Sequence, residues 1–139
     1  EYSFPNVEFA LRGAEETCFD ELFDCVTASY LAKYADLDML THNVHRMLKP
    51  GGTFVMHDFT YPSNPVIAAL WEVYFKLQQT IGVRFYPQWR TIYYELPVLL
   101  RKTNWVTELT TALMASGFDH AKVESLTLGG AAIVTAKKC

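Results

Sequence analysis

An α/β fold with a doubly wound, mostly parallel sheet is predicted by three consecutive segments of the chain. Residues 23–30 (FDCVTASY) indicate a buried strand, and residues 37–48 carry apolar side chains at helical spacing. Residues 53–58 (TFVMHD) are mostly apolar, as expected for a parallel strand covered on both faces. Strand, helix and strand in this order predict a right-handed βαβ unit.

The turn between this helix and the second strand is marked by Pro50 and by the glycine pair Gly51-Gly52. Proline cannot continue a helix, and glycine adopts the left-handed backbone that ends one. We therefore expect the helix to end at Lys49-Pro50 and the strand to begin directly after the glycines.

The remaining elements are predicted from periodicity and turn residues. Residues 6–12 indicate a short strand, and Asn64-Pro65 precedes a helix over 65–81 that residues 82–88 break. Residues 89–102 are expected to be helical in part, with an interruption around Pro97. A helix over 105–116 is capped by Thr103 or Asn104 and ends at Gly117. Strands over 121–128 and 131–137 then form a tight hairpin at Gly129-Gly130.

Composition limits the function classes. The chain has 139 residues, 50% hydrophobic and 19% charged, which suits a single domain with a real core. The net charge of −3 and the lack of a Lys/Arg cluster argue against nucleic-acid binding. No apolar run reaches the roughly 20 residues of a membrane span. Three cysteines without metal-ligand spacing or pairing favour a reducing compartment, and we expect a cytoplasmic protein.

Several motifs resemble the second half of a class I S-adenosylmethionine-dependent methyltransferase. In that family a Phe-Asp pair opens the fourth strand, as Phe23-Asp24 does here, and a turn like 48–52 (LKPGG) precedes the fifth. Residues 115–118 (ASGF) and 123–134 resemble the closing helix and hairpin of the ubiquinone/menaquinone C-methyltransferases. The resemblance implies a Rossmann-like methyltransferase fold with an antiparallel last strand, and S-adenosylmethionine as cofactor.

The family's glycine-rich cofactor turn has no counterpart here, so the resemblance implies that the N-terminal cofactor-binding half is missing. Residues 1–139 are interpreted as the C-terminal part of one methyltransferase domain, with 62–104 as a helical insertion that covers the substrate. The fourth strand would then have a bare edge, which invites pairing with another chain. We expect a homodimer, or complementation by the missing half.

The resemblance also implies a cofactor site at the carboxyl ends of the strands. One part is the loop Gly13-Ala14-Glu15, where Gly13 stands in place of the family's acidic or amide adenine-binding residue. The other is the end of the fourth strand, whose small side chains allow close approach of a ligand; it comprises Thr27, Ala28, Ser29 and Tyr30. A solvated acidic loop and plain strand packing are the structural alternatives.

His57 and Asp58 end the fifth strand and are the candidate catalytic residues. Asp58 can orient the substrate or act as a base toward a phenol or C–H group, and Asp58→Asn is expected to lower turnover more than cofactor affinity. The alternative is that Asp58 caps the following loop. No metal site is expected, because no His/Cys/Asp cluster has ligand spacing.

A dense aromatic segment supplies the candidate acceptor site. Flat rings suit a quinol-like small molecule, and an arginine can hold a phenolate. The same residues can instead form helix core, with snorkelling arginines, or a peripheral membrane-contact surface. The candidates are Tyr86, Trp89, Arg90, Tyr93, Tyr94 and Arg101.

The leading hypothesis is methyl transfer to a carbon or oxygen of a small aromatic or lipophilic acceptor, with the 139 residues inactive alone. A non-catalytic, methyltransferase-like binding or scaffold subunit is the alternative, which Gly13 would suit. A nicotinamide-dependent Rossmann protein is disfavoured by the antiparallel hairpin. The methyl acceptor itself is left open, because Glu95 and Leu99 replace the Tyr and Ser of the quinone enzymes' YLPxSIR motif.

Overall fold

A computed structural model describes residues 6–17, 19 and 22–139. Helices and strands alternate in the first half of the described chain, and helices dominate its middle. The strands are β1 (Phe23–Ser29), β2 (Leu48–Phe59), β3 (Lys122–Leu126) and β4 (Ala131–Lys137), and the α-helices are α1 (Leu37–Met47), α2 (Pro65–Leu77), α3 (Val83–Phe85), α4 (Arg90–Lys102) and α5 (Trp105–Ala115).

The four strands form one sheet in the order β1-β2-β4-β3. β1 and β2 are parallel and α1 joins them, which confirms the predicted βαβ unit. β4 is antiparallel to both β2 and β3, which confirms the antiparallel last strand. The sheet is therefore mixed, and the α/β fold class is confirmed.

The apolar core lies between one face of the sheet and the helices α1 and α5. Alternate residues of β2 point into it, with Phe54 and Met56 fully buried, while the intervening side chains are only half-buried. Thr41, a polar residue of α1, is fully buried. Its hydroxyl bonds the Leu37 carbonyl and the Ser116 hydroxyl, so a polar side chain fills the α1–α5 contact without an unsatisfied group.

Residues 6–12 do not form the expected strand. They lie in irregular backbone, with Val7, Phe9 and Leu11 exposed, and a turn follows at 13–17. In the described part of the chain β1 pairs with β2 alone, so residues 6–12 do not pair with its free edge.

The middle helices are more continuous than proline and glycine predicted. The helical run from Pro65 passes through a π-helical turn, Gln78–Gly82, and ends at Phe85, so the expected break at 82–88 is wrong at its start. A 3₁₀ turn, Pro87–Trp89, then leads into α4, which passes through Pro97 without interruption. Pro97 has no N–H to donate to the Tyr93 carbonyl, and the side-chain amide of Gln79 donates to that carbonyl instead, at 3.0 Å.

The closing hairpin is wider than a two-residue turn. A 3₁₀ turn, Thr127–Gly129, lies between β3 and β4, and both Thr127 and Leu128 have left-handed backbone angles. Gly130 is required for packing: a Cβ there would lie 2.5 Å from Cζ2 of Trp71 in α2. The hairpin loop therefore contacts the middle helices directly.

Candidate active site

A buried ion pair lies at the carboxyl end of β2. Asp58 is 0% exposed, and its Oδ1 accepts hydrogen bonds from Lys33 Nζ and, at 2.7 Å, from the Phe59 amide. Its second oxygen, Oδ2, is buried and has no partner among the described residues. A buried carboxylate oxygen of this kind is available to a ligand that carries a hydrogen-bond donor.

Local backbone geometry brings Lys33 to this position. Tyr30, directly after β1, has a φ of +58°, and its amide donates to the His57 carbonyl at 3.0 Å. The chain then turns through hydrogen bonds from the Tyr34 and Ala35 amides to the Leu31 carbonyl. This turn directs Lys33 over the end of the neighbouring strand, where its side chain is only 2% exposed.

Lys33 is suited to proton exchange near neutral pH. Burial lowers the pKa of its ammonium group from 10.5 to about 8. A lysine in this range can hold or release a proton under physiological conditions. Sequence reasoning missed Lys33, because a lone lysine in a loop has no periodic or motif signal.

His57 and Asp58 do not act as one unit in this geometry. Adjacent residues of a strand point to opposite faces of the sheet, and Asp58 is on the face of Phe54 and Met56. On the other face, the His57 ring packs edge-on against Tyr30, with ring centroids 5.3 Å apart. The alternation of side chains along a strand could already have predicted that His57 and Asp58 face opposite sides of the sheet.

A large apolar cavity, with a volume of about 650 Å³, lies between the middle helices and the end of β2. Of the sequence-predicted acceptor residues, Trp89 and Tyr93 line it. Phe59 also lines it, and the centre of its ring lies 5.8 Å from Lys33 Nζ, so one side chain borders both the ion pair and the cavity. The lining residues are Phe59, Leu70, Trp71, Tyr74, Phe75, Gln78, Trp89, Ile92, Tyr93, Leu96, Leu100 and Thr127.

The other four acceptor candidates are not among the lining residues. Tyr86 is exposed after α3, and the Arg90 guanidinium lies 5.8 Å from the centre of the exposed Tyr94 ring. Arg101 forms a two-pronged salt bridge with Glu72, with Nε 2.9 Å from Oε1. In the structure Arg101 therefore ties α4 to α2.

The same Glu72 also accepts a hydrogen bond from the Tyr61 hydroxyl, at 2.9 Å. The hydrogen bond from Arg101 lowers the pKa of Glu72, and the hydrogen bond to Glu72 raises the pKa of Tyr61. Because Tyr61 follows β2 closely, this network fixes both middle helices to the end of the strand that carries Asp58.

The cofactor candidates separate into two groups. Ala14, Thr27 and Ala28 line a small cavity of about 280 Å³ between the loop at 12–17, β1 and α1. Ser29 and Tyr30 lie beyond it, at the exposed tip of β1 next to His57. The structure thus brings one loop residue and two strand residues together at one cavity, and their role in cofactor binding stays a prediction.

Glu15 is engaged elsewhere. Its carboxylate accepts a hydrogen bond from the Asp36 amide, at 2.8 Å, and its carbonyl accepts one from the Asn43 side chain. These bonds attach the loop to the N-cap and the middle of α1. Gly13 has no side chain to offer. Its carbonyl accepts hydrogen bonds from the Glu16 amide and the Thr17 hydroxyl of the same turn.

In the described part of the chain, no three His, Cys, Asp or Glu side chains come together as a metal ion would require. Within 6–17, 19 and 22–139, no helix is both long and apolar enough to cross a membrane.

Comparison with known proteins gives consistent relatives. The chain is 31% identical over 128 residues to human 2-methoxy-6-polyprenyl-1,4-benzoquinol methylase, mitochondrial, covering 90% of this chain and 39% of that protein. It is 30% identical over 127 residues to the ubiquinone/menaquinone biosynthesis C-methyltransferase UbiE of Francisella tularensis, covering 89% of this chain and 50% of that one. The chain therefore spans between two fifths and half of the length of these relatives.

A solved structure with the same fold is human N-acetylserotonin methyltransferase in complex with S-adenosylmethionine. It has a TM-score of 0.58 and 16% identity, over 99% of this chain and 35% of that one. The model of the ubiE/COQ5 methyltransferase family matches residues 1–138. This match covers nearly the whole sequence, and the chain belongs to the ubiE/COQ5 methyltransferase family.

Proposed function

We propose that the protein containing this chain transfers a methyl group from S-adenosylmethionine to a carbon or oxygen of a small aromatic or lipophilic, quinol-like acceptor. The observation that carries the proposal is the junction at Phe59. This ring lines the apolar cavity of about 650 Å³ and contacts the buried Lys33–Asp58 pair. A flat acceptor in the cavity would have its reacting end near the pair.

Aromatic and aliphatic side chains in the cavity suit such an acceptor. Trp71, Trp89 and Tyr93 offer stacking faces, and Gln78 is the one amide among the lining residues. We propose that segment 62–104 is the part of the domain that covers the acceptor. The names of the two curated relatives describe quinol or quinone substrates for those proteins.

The residues present fit part of the cofactor. The cavity beside Ala14 is bordered at the strand end by the short side chains of Thr27 and Ala28, which allow close approach to the backbone, while larger apolar residues form most of its remaining lining. S-adenosylmethionine, when bound, supplies an already activated methyl group. The chain's own task is then to align the acceptor, exclude water and remove a proton.

We propose that the ion pair accepts the proton that the acceptor loses during methyl transfer. When the acceptor carbon or oxygen gains a methyl group, it loses a proton. Neutral Lys33 can accept that proton, because burial lowers its pKa to about 8, and Asp58 stabilises the resulting ammonium ion. We propose that the complete protein performs this step and that residues 1–139 alone bind cofactor weakly.

The test uses the full-length natural protein. Asp58→Asn is expected to lower kcat roughly 10²- to 10⁴-fold with cofactor Kd changed less than about threefold. In the unmodified enzyme kcat should rise through a pH of about 8, since Lys33 must be neutral. Lys33→Arg keeps the positive charge but cannot deprotonate, so this rise should vanish. Unchanged turnover in Asp58→Asn would sink the proposal, and an unchanged pH profile in Lys33→Arg would remove Lys33 from it.

One observation favours a second candidate function, a non-catalytic binding or scaffold subunit. Gly13 offers no side chain for an adenine amino group, and the Glu15 carboxylate is engaged with the Asp36 amide. Calorimetry with S-adenosylmethionine on the full-length protein separates the two, because a scaffold need not bind the cofactor.

Two further expectations stay predictions. The edge of β1 has no partner strand in the described residues, and we propose that a second copy or the remaining sequence of the protein pairs with it. A cytoplasmic location is also retained as a prediction, while the human relative's name states a mitochondrial location for that protein.

A further inference from the structure

Exposed apolar side chains lie along one face of α2 and the π-helical turn that follows it. Large apolar residues at spacings of four, three, four and four form a stripe along α2 and the π-helical turn, each 52–66% exposed. An apolar patch of this length is unusual on a protein surface that faces only water. This apolar stripe consists of Val66, Leu70, Val73, Leu77 and Ile81.

Aromatic residues extend the stripe around the cavity mouth. Four residues both line the apolar cavity and remain about half exposed, so the mouth opens within the same surface. Trp and Tyr rings are the side chains that favour the boundary between lipid and water. The four shared residues are Leu70, Tyr74, Trp89 and Ile92.

Charge separates this surface from the rest of the chain. Segment 62–104 has five Lys or Arg against two Glu, a net +3, although the whole chain is −3. Of the two acids, Glu72 is neutralised by its salt bridge to Arg101, which leaves Glu95. The exposed cations that remain in this segment are Lys76, Arg84, Arg90 and Lys102.

We propose that this surface docks on an anionic lipid bilayer, with the apolar stripe in the interfacial region and the cations against the lipid headgroups. An amphipathic, basic helix that lies in the membrane plane has this combination of features. The cavity mouth then faces the acyl chains, so a lipophilic molecule enters without crossing water. This last step rests on the proposed function, whereas the docking itself does not.

Vesicle sedimentation of the full-length protein tests the docking. Vesicles contain phosphatidylcholine with or without about one third phosphatidylglycerol, at about 0.1 M salt. We expect binding to the anionic vesicles, with each of Lys76→Gln and Arg84→Gln weakening the partition coefficient roughly fivefold. The double substitution Val73→Ser/Leu77→Ser, outside the cavity lining, should weaken it at least roughly tenfold.

Matched controls lie outside segment 62–104, on the helices α1 and α5 that pack on the sheet. Met114 is as exposed as Val73, and Arg46 is an exposed cation of α1, so Met114→Ser and Arg46→Gln should bind as the unmodified protein does. Equal losses in the controls, or no preference for anionic vesicles, would overturn the proposal. So would a dimer, seen by light scattering, that Val73→Ser/Leu77→Ser dissociates, because a second copy would then cover the stripe.

The two proposals fail separately. If docking is wrong, vesicle binding is absent while methyl transfer to a short, water-soluble quinol persists. If the proposed function is wrong, no acceptor is methylated while the docking variants still lose vesicle binding.

Discussion

Two regions of this chain bury their side chains to different extents. The sheet side comprises the four strands with α1 and α5, and the middle helices comprise Pro65–Lys102. The main apolar cluster of buried residues draws on α1, β2, α5 and β4, and none of its members lies between Pro65 and Lys102. In that middle segment, Phe75, Pro97 and Leu100 are buried, while many large apolar side chains are exposed or line the cavity.

The two regions are also held together differently. The sheet side relies on a large apolar cluster, to which part-buried polar bonds such as Thr41 to Ser116 and Lys138 Nζ to the Leu48 carbonyl are added. The middle helices are attached through polar contacts, chiefly Arg101 to Glu72 and Gln79 to the Tyr93 carbonyl. Apolar surface in the middle segment is thus left free for ligands, and stability is expected to come from the sheet side.

Two tryptophans, one in each region, test whether the stability of the fold comes from the sheet side. Trp105 is 1% exposed and its Nε1 donates to the Phe59 carbonyl at 2.8 Å, whereas Trp89 is 50% exposed at the cavity. Trp105→Ala should lower the free energy of unfolding by about 3–5 kcal/mol. Trp89→Ala should lower it by less than about 1 kcal/mol and weaken acceptor binding instead.

Urea unfolding followed by circular dichroism measures both variants. A comparable loss in Trp89→Ala would mean that the middle helices carry as much of the stability as the core, and the division between the regions would be wrong.

A substitution at Gly130 tests the contact between the closing hairpin and α2, where the two regions meet. Its φ of −84° is accessible to alanine, so the expected cost comes from the approach of the new Cβ to Trp71 alone. Gly130→Ala should destabilise the fold by about 1–3 kcal/mol through overpacking and should distort the cavity wall.

The same substitution in a Trp71→Phe background should cost less than half as much, because the smaller ring leaves room for the methyl group. A double-mutant cycle from thermal or urea unfolding gives this coupling. Additive losses would show that Gly130 matters through its backbone and not through contact with Trp71.

Local sequence signals predicted the sheet side well. Apolar periodicity and the Pro50-Gly51-Gly52 turn located β1, α1 and β2 within one or two residues for most of their ends, because these elements form by local rules. β2 is the exception at its start. It begins at Leu48, before the glycines, because Leu48 already pairs with Phe23 of β1, and Gly51 and Gly52 bond to Lys138 on the other side. The expected burial of β1 is wrong, since its residues are half-buried or exposed.

The middle segment and the site depended on contacts that sequence spacing does not contain. Lys33 and Asp58 are 25 residues apart, and Arg101 and Glu72 are 29 apart. Neither pairing has a periodic signal. The hairpin was misjudged because the glycine pair suggested a two-residue turn, whereas Thr127 and Leu128 take the left-handed angles.

Gln79 provides the smallest and most specific test of the comparison. Pro97 leaves the Tyr93 carbonyl without its helical donor, and proline inside a helix ordinarily costs about 3 kcal/mol. Because Gln79 donates to this carbonyl from the π-helical turn, one side chain both satisfies α4 and attaches it to the preceding helix. Gln79→Leu should therefore lower the free energy of unfolding by about 0.5–1.5 kcal/mol.

The comparison of Gln79→Leu with and without Pro97 tests this explanation directly. In a Pro97→Ala background the residue at 97 can donate its own N–H to the Tyr93 carbonyl, so Gln79→Leu should then cost almost nothing. Gln88→Leu, an exposed glutamine of the same segment, is the control and should have no effect in either background. Equal costs of Gln79→Leu with and without Pro97 would contradict the account. A cost present only with Pro97 would show that the Gln79 side chain replaces the hydrogen bond that proline removes from α4, and that it adds to the Arg101–Glu72 bridge in attaching α4 to the preceding helix.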